Sequence, residues 1–173
     1  MSIQTNDSYL GNPNVKRDGV EHQFTAKELK EYMKCMQDAS YFARTYLKVI
    51  HLDRGLVPFN LYPYQEKMFR HFDDNRFSIV LACRQSGKSI SSVGYLLWYA
   101  LFHPEQTIAV LANKGATARE MLSRITLMLE NLPFFLQPGC KALNKGSIEF
   151  SNNSRIIAAA TSGSSIRGMS VNL

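Results

Sequence analysis

Acidic residues are scarce in the second half of this 173-residue sequence, and no aspartate follows Asp74. Residues 1–75 contain ten lysines and arginines and ten acids, whereas residues 76–173 contain ten lysines and arginines and only four acids. The net charge of +6 therefore arises entirely after residue 75. A basic region of this kind favours polyanionic partners, nucleic acid above all. Binding of an anionic small molecule, or of an acidic partner subunit, would explain the same excess.

Cysteine and long apolar runs are also scarce. Three widely separated cysteines, an odd number, favour reduced thiols and support neither a disulfide framework nor a CxxC metal site. The longest uninterrupted apolar run, residues 95–102, is too short to span a bilayer. Residues 1–14 are polar and lack the apolar core of a signal peptide. These absences predict a protein of the cytoplasmic type.

A phosphate-binding loop is the strongest positive signal in the sequence. An apolar run, residues 77–81, precedes an octapeptide that is followed by a helix-like stretch, which is the strand-loop-helix context such a loop requires. Its backbone N–H groups are predicted to converge on the phosphates of ATP. The octapeptide consists of Ala82, Cys83, Arg84, Gln85, Ser86, Gly87, Lys88 and Ser89.

Two residues of this loop have predicted chemical roles. The Lys88 ammonium would neutralise phosphate charge, and the Ser89 hydroxyl would coordinate Mg²⁺, a hard cation that prefers oxygen ligands. Ala82 stands where this motif usually has glycine, so the opening turn must form without a positive φ. The alternative is an ordinary glycine-containing turn with Lys88 solvated at the start of the helix.

The carboxylates that an ATPase needs are not visible in this sequence. One acid normally holds the hydration shell of magnesium at a strand end, and a second orients the attacking water. No apolar strand here ends in Asp-Glu, and Glu149 fits the solvent-facing position of an alternating strand. Residues 170–173 resemble the start of a strand. We therefore expect a truncated polypeptide whose following residues carry the missing acids.

The alternation of elements predicts an α/β fold of the P-loop NTPase (RecA/ASCE-like) type, with a mostly parallel central sheet flanked by helices. Residues 1–24 are predicted to be disordered, residues 25–60 to be a helical extension and linker, and residues 61–173 to be an incomplete ATPase domain. Within these, a capping box predicts one helix from Thr25 to about residue 49, followed by an extended loop. The remaining predicted elements are a helix over 64–72, a strand over 77–82, a helix over 88–102, a strand over 107–112, a helix over 115–131, and a β-hairpin of 147–151 with 154–160.

The sequence also resembles a known family. The run 61–69 (LYPYQEKMF), followed about twenty residues later by 83–89 (CRQSGKS), is similar to the ATPase domain of the large terminase subunit of tailed phages, and the T-even-like branch is the most similar. The segment 144–150, the predicted hairpin and the segment 161–168 are similar to the stretch that precedes the Asp-Glu strand of that family. The resemblance covers roughly residues 60–173.

That resemblance implies an ATP-driven motor that docks on the portal protein of an empty capsid and translocates double-stranded DNA into it. It also implies a small terminase subunit as a partner, a homo-oligomeric ring, the cytoplasm of an infected bacterium as the location, and a C-terminal nuclease domain that is absent here. Two alternatives remain open. One is a helicase-like translocase, which also pairs an upstream glutamine with a phosphate loop, and the other is a nucleotide-binding remnant without activity.

The resemblance further assigns an adenine contact. Gln65 would read the adenine edge with its amide, which suits a side chain that both donates and accepts; the alternative is an exposed glutamine at a helix start. Tyr62 and Tyr64 are candidates for the wall of the same pocket. The apolar spacing places Phe69 and Phe72 in the core instead.

Two arginines receive catalytic roles from the resemblance, in addition to Lys88. Arg84 would contact the γ-phosphate or signal hydrolysis, unless it forms an ordinary surface salt bridge. Arg167 resembles an arginine finger that some terminases offer to the ATP of a neighbouring subunit, because a planar guanidinium suits transition-state phosphoryl charge. Gly168 would relieve crowding of the backbone beside it, or simply form a turn.

Overall fold

Five α-helices and eight β-strands form the part of the chain that the computed structural model describes, residues 7–161, 168 and 170–173. The helices are α1 (Ala26–Gln37), α2 (Ala39–Tyr46), α3 (Pro63–Asp74), α4 (Lys88–Phe102) and α5 (Gly115–Glu130). The strands are β1 (Ser8–Tyr9), β2 (Asn12–Lys16), β3 (Lys48–His51), β4 (Gly55–Pro58), β5 (Thr107–Ala112), β6 (Cys140–Leu143), β7 (Ser147–Phe150) and β8 (Arg155–Ala160).

The main sheet is mixed and has the strand order β5-β8-β7-β6. Strands β5 and β8 are parallel, with Thr107 opposite Arg155, whereas β8 with β7 and β7 with β6 are antiparallel. The predicted hairpin is confirmed, and Asn153 in its turn has a φ of 63°. A mostly parallel sheet was the wrong prediction for the described residues, because the tight β7–β8 connection places antiparallel strands inside the sheet.

Helices α4 and α5 both begin at the carboxyl edge of β5 and β8. The end of α4 is fixed at the opposite edge, where Asn152 Nδ2 donates to the Ala100 carbonyl at 2.9 Å and Ser154 Oγ donates to the His103 carbonyl at 2.7 Å. Helix α5 follows β5 after two residues. The start of α4, which carries the octapeptide, and the start of α5 therefore lie at the same edge of the sheet.

Residues 77–82 form no strand, which contradicts the prediction. No backbone hydrogen bond joins them to another described residue. Their apolar side chains remain in solvent, with Ile79 97% and Leu81 99% exposed. A strand requires a neighbour that satisfies its backbone groups, and none of the described segments supplies one here.

Unlike residues 77–82, strand β5 has backbone partners on both sides: β8 on one edge, and residues 172 and 173 on the other. The Asn172 N–H donates to the Thr107 carbonyl at 2.8 Å, and the Ala109 N–H donates to the Leu173 carbonyl at 2.9 Å. These bonds give β5 backbone partners on this edge, although residues 170–173 form no regular strand. The expectation that residues 170–173 begin a strand is therefore not confirmed.

Residues 7–24 are ordered, so the predicted disorder of residues 1–24 is wrong for this part. Strands β1 and β2 form a hairpin in which Val15 is fully buried. The side chain of Gln137 holds the hairpin in place: its Oε1 accepts from the Lys16 N–H at 2.8 Å, and its Nε2 donates to the Asn14 carbonyl at 3.0 Å. The polar composition of the segment favoured a prediction of disorder, and it gave no sign of this contact with a distant residue.

The predicted single helix after Thr25 is two helices. The capping box is confirmed, with the Thr25 N–H donating to Glu28 Oε2 at 2.9 Å and the Glu28 N–H donating to Thr25 Oγ1 at 3.2 Å. The helix ends at Asp38, because this carboxylate accepts the N–H groups of Ser40 and Tyr41 at 2.7 and 2.9 Å and so starts α2. The predicted loop after residue 50 instead contains the β3–β4 hairpin.

The core lies between α4, α5 and the sheet, and α1 and α2 cover α4. Trp98 is buried, and its Nε1 donates to the Cys35 carbonyl at 2.7 Å. The cysteines are free, as expected; burial raises the pKa of the Cys35 thiol to about 12 and that of Cys140 to about 11. Of the helices described, none is long and apolar enough to cross a membrane.

Candidate functional site

The octapeptide forms a tight loop directly before α4. Gln85 and Gly87 have φ values of 60° and 80°, and α4 begins at Lys88. Ala82 has no positive φ, as its side chain requires. Left-handed residues at alternate positions are typical of concave backbone segments that point N–H groups at an anion. The φ values of Gln85 and Gly87 are compatible with an anion site at the start of α4.

The carbonyl of Cys83 closes the loop. It accepts a hydrogen bond from Ser86 Oγ at 2.9 Å and another from Lys88 Nζ at 3.1 Å. The Lys88 ammonium therefore lies over the loop and is not directed away into solvent, as the alternative of a solvated lysine requires. The octapeptide therefore places the Lys88 ammonium within hydrogen-bond distance of its own backbone.

Gln65 lies against this loop and is only 2% exposed. Its Oε1 accepts from the Tyr62 N–H at 2.8 Å, and its Nε2 lies 3.5 Å from the Gly87 carbonyl. The alternative of an exposed glutamine is therefore wrong. One lone pair of Oε1 and one N–H of Nε2 remain available. These are the groups that could pair with an adenine edge, although a base must displace a neighbouring side chain to reach them.

Gly87 is the point at which the glutamine and the loop meet. A Cβ at this position would lie 2.8 Å from Gln65 Nε2 and 3.6 Å from the Tyr64 hydroxyl oxygen. A side chain would also be strained by the positive φ. Glycine is therefore required here both for the loop conformation and for the approach of Gln65.

Tyr62 and Tyr64 form a stacked pair beside Gln65. Their ring centroids are 5.9 Å apart at an interplanar angle of 10°, and they are 65% and 39% exposed. Burial raises the pKa of the Tyr64 hydroxyl, with smaller contributions from Tyr62 and Cys83. Phe69 is buried and Phe72 packs against the core, so the prediction for the two phenylalanines is confirmed.

Helix α3, which carries Gln65, is anchored to α4, which begins with Lys88. The Tyr95 hydroxyl of α4 donates to Asp73 Oδ1 at 2.6 Å, and the Tyr95 ring contacts Phe69 and Phe72 at centroid distances of 5.6 and 5.2 Å. Burial, followed by the hydrogen bond to Asp73, raises the pKa of Tyr95. This contact fixes the relative positions of the glutamine and the loop.

Two further loop residues have free polar groups. The hydroxyl of half-buried Ser89 forms no hydrogen bond within the described chain, unlike those of Ser91 and Ser92, which donate to helix carbonyls at 3.0 Å. Arg84 is exposed and forms no ion pair with any described acid. The surface salt bridge considered for Arg84 is thus not found. A hydroxyl and a guanidinium are both free to bind a ligand.

The remaining predicted residues lie elsewhere. Glu149 is on β7 opposite Arg155, and no described carboxylate forms a hydrogen bond or ion pair with residues 82–89. Arg167 lies outside the described residues. Gly168 has a φ of 81°, and a Cβ there would meet no atom of the described residues within 4 Å, so within this part of the chain a turn explains the glycine.

Sequence reasoning missed two contacts of this site. The approach of Gln65 to the Gly87 carbonyl joins residues 22 positions apart, and no local pattern signals it. The Tyr95–Asp73 bond joins residues that are also 22 positions apart, and it could have been suspected only from a tyrosine on an otherwise apolar helix face.

The described residues define an α/β protein with a mixed sheet and five helices, an arrangement compatible with an ATPase-like fold. The model of the family described as "Terminase large subunit, T4likevirus-type, N-terminal" matches residues 79–173, more than half of the chain. The chain belongs to this family, as the resemblance indicated, and has a role in phage DNA packaging. The match covers the octapeptide and begins after Gln65 and the tyrosine pair.

Proposed function

We propose that this chain is the ATP-binding part of a terminase motor that couples ATP hydrolysis to translocation of double-stranded DNA into a procapsid. The observation that carries the proposal is the loop at the start of α4, with left-handed Gln85 and Gly87 and with Lys88 Nζ bonded 3.1 Å from the Cys83 carbonyl oxygen. Family membership supplies the packaging role. The partners would be DNA, the portal protein, the small terminase subunit and further copies of the chain in a ring, in the infected host cell.

The loop residues fit MgATP. Lys88 would exchange its bond to the Cys83 carbonyl for a phosphate oxygen, which is a stronger, charge-assisted partner. The free hydroxyl of Ser89 would take one coordination position of Mg²⁺. The backbone N–H groups of Ala82 to Gly87 would contribute the remaining phosphate contacts. MgATP, when bound, supplies the phosphoanhydride bond whose hydrolysis drives the motor.

Gln65 and Arg84 would contact the two ends of the nucleotide. The amide of Gln65 would read the adenine edge, and its contact with Gly87 would transmit that binding to the loop. Arg84, exposed and without an ion pair to a described acid, would reach the γ-phosphate. Arg167 is proposed as a finger toward the ATP of a neighbouring subunit, on family resemblance alone.

A second candidate is nucleotide binding with little hydrolysis by this chain alone. It is favoured by the lack of any described carboxylate bonded to residues 82–89, since an acid normally positions the magnesium shell and the attacking water. Under this candidate the chain binds MgATP, and its turnover approaches that of a buffer blank.

Titration of fluorescent MgATP into the purified chain tests the nucleotide site, with Lys88→Ala as the test variant. We expect saturable binding that Lys88→Ala weakens by tenfold or more, a loss of about 1.4 kcal/mol. Lys114→Ala, which removes an exposed lysine outside the octapeptide, is the matched control. Equal affinity of wild type and Lys88→Ala would overturn the assignment.

Phosphate release measured on the same samples separates the two candidates. Fast turnover that disappears in Lys88→Ala contradicts the binding-only candidate. Binding without turnover supports it for this chain, and the motor activity then requires groups that the described residues do not supply.

A further inference from the structure

A groove of about 530 Å³ lies between α5 and the turn that joins β6 to β7, away from the octapeptide. One wall is the exposed side of α5, with Arg119, Ser123 and Thr126, and the other is the turn with Leu143, Asn144 and Lys145. The groove is open to solvent. None of the roles assigned so far uses these residues.

The charge of the groove is positive and unbalanced. Arg119 and Lys145 are exposed and form no ion pair with a described acid. Among the described lining residues the one acid is Glu120, and it is already bonded to Arg124, whose Nε lies 3.2 Å from Glu120 Oε1. The first turn of α5 contains no acidic residue that could offset these cations.

The two walls are held in fixed positions. Asn144 Oδ1 accepts the N–H groups of Gly146 and Ser147 at 2.8 and 3.0 Å, and the Gly146 carbonyl accepts from the Ala158 N–H of β8 at 2.8 Å. This turn therefore presents Lys145 from a rigid base. Arg119 is carried by α5, whose Ala118 and Leu122 are buried against the sheet.

The lining chemistry selects the kind of ligand. Arginine, lysine and hydroxyl side chains are the groups that proteins use to contact phosphate and sugar oxygens of DNA. Among the described residues no aromatic side chain lines the groove, so this part of it lacks the stacking platform with which proteins bind single strands. An open, basic groove without aromatics fits the phosphodiester backbone of a duplex.

We propose that the groove between α5 and the Leu143–Lys145 turn contacts the backbone of double-stranded DNA through Arg119 and Lys145. The assignment rests on the proposed function, and it adds to that function the surface which holds the substrate. Helix α5 starts at the same sheet edge as the octapeptide. Movement of the loop during an ATP cycle would therefore be transmitted to a DNA contact on a directly adjoining element.

Binding of a labelled 30-base-pair duplex, followed by fluorescence anisotropy at several salt concentrations, tests the proposal. Each lost phosphate contact reduces the slope of log K against log salt by about 0.9, which corresponds to about eightfold in affinity at 0.1 M salt. Arg119→Gln and Lys145→Gln are each expected to show this loss. Lys30→Gln, at an exposed position on α1, is the matched control.

A second readout locates the contact directly. A duplex that contains photoreactive bases should cross-link to peptides covering residues 116–126 or 143–145, and a single strand of the same sequence should compete poorly. Wild-type affinity and salt slope in both variants, equal losses in Lys30→Gln, or absence of duplex binding at 0.1 M salt would each overturn the groove assignment.

The same samples keep the two proposals apart. If MgATP binds in a Lys88-dependent manner while duplex binding does not depend on Arg119 or Lys145, the groove assignment fails and the nucleotide site stands. If MgATP does not bind, the proposed function fails, whatever the duplex does. Thermal unfolding of each variant would check that the substitutions leave the fold intact.

Discussion

Residues 77–82 and 107–112 have nearly the same apolar character and end in the same three residues, Val-Leu-Ala, yet only the second forms a strand. Ile108 in β5 is fully buried, whereas Ile79 is 97% exposed. The difference is that β5 has β8 beside it. An apolar run sets a tendency toward strand structure, but the strand forms only where a neighbour takes up its backbone hydrogen bonds.

The largest expected effect comes from making the same substitution in both segments. Ile108→Ala removes a fully buried side chain and should lower the free energy of unfolding by about 2–5 kcal/mol. Ile79→Ala removes an exposed one and should change it by less than about 0.5 kcal/mol. Urea titration followed by circular dichroism measures both. Similar losses would mean that residues 77–82 are packed in solution, and the comparison would fail.

The second-largest effect is expected at Gln137, the side chain that holds the β1–β2 hairpin against the rest of the fold. Gln137 is 3% exposed and also donates through Nε2 to the Leu132 carbonyl at 2.9 Å. Gln137→Leu leaves the Lys16 N–H and several carbonyls without a partner, and each buried unsatisfied group costs roughly 1–3 kcal/mol. We expect a loss of about 2–4 kcal/mol and faster amide exchange at residues 8–17. Exposed Gln23 offers the control Gln23→Leu, and unchanged exchange at Lys16 would contradict the anchoring role.

Much of the α/β core was predictable, because its elements are local. The bounds of α4 and β5 agree with the predicted 88–102 and 107–112, and the Thr25 capping box marks the start of α1. The break at Asp38 and the β1–β2 hairpin were not predictable. The first depends on a side chain that competes as a helix cap, and the second depends on Gln137, more than 120 residues away.

The site was predictable only to the extent that its chemistry is contiguous in sequence. Gly87, Lys88 and Ser89 follow from one octapeptide. The burial of Gln65, by contrast, depends on how α3 packs on α4, and residue spacing contains no information about that. The basic groove could not be seen either, because Arg119 and Lys145 lie 26 positions apart and meet only when the β6–β7 turn packs beside α5.

A smaller effect is expected at Gly87, where the left-handed backbone conformation should be required for MgATP binding. Gly87→Ala places a side chain at a φ of 80° and 2.8 Å from Gln65 Nε2. A left-handed non-glycine residue costs about 1–3 kcal/mol, which corresponds to about 5- to 150-fold in MgATP affinity if binding requires this conformation. Global stability should change less, because Cys83, Arg84 and Gln85 are exposed and the loop can rearrange when no nucleotide is bound. Gly146→Ala, where the nearest atom is 3.5 Å away, is the control, and an unchanged dissociation constant would contradict the prediction.

The smallest effect is expected at the start of α1, where the capping box of Thr25 and Glu28 forms without help from any other element. Thr25→Ala removes the acceptor of the Glu28 N–H and should cost about 1 kcal/mol at neutral pH. Thr25→Ser keeps a hydroxyl and should retain most of that stability. Equal losses in the two variants would mean that the cap hydrogen bond contributes nothing measurable.

The pH dependence of that loss tests the same contact independently. Hydrogen bonds from the Thr25 backbone N–H and then from its side chain hold the pKa of the Glu28 carboxyl below its ordinary value of 4.5. A depressed pKa in the folded state contributes stability that is present above pH 4.5 and is lost as the pH falls through the lower folded value. In Thr25→Ala the side-chain bond is missing, so the folded pKa should move back toward 4.5. The stability difference between wild type and Thr25→Ala should therefore shrink between pH 5 and pH 3 in urea titrations. A difference that stays constant over this range would show that the capping box stabilises α1 without the ionised carboxylate.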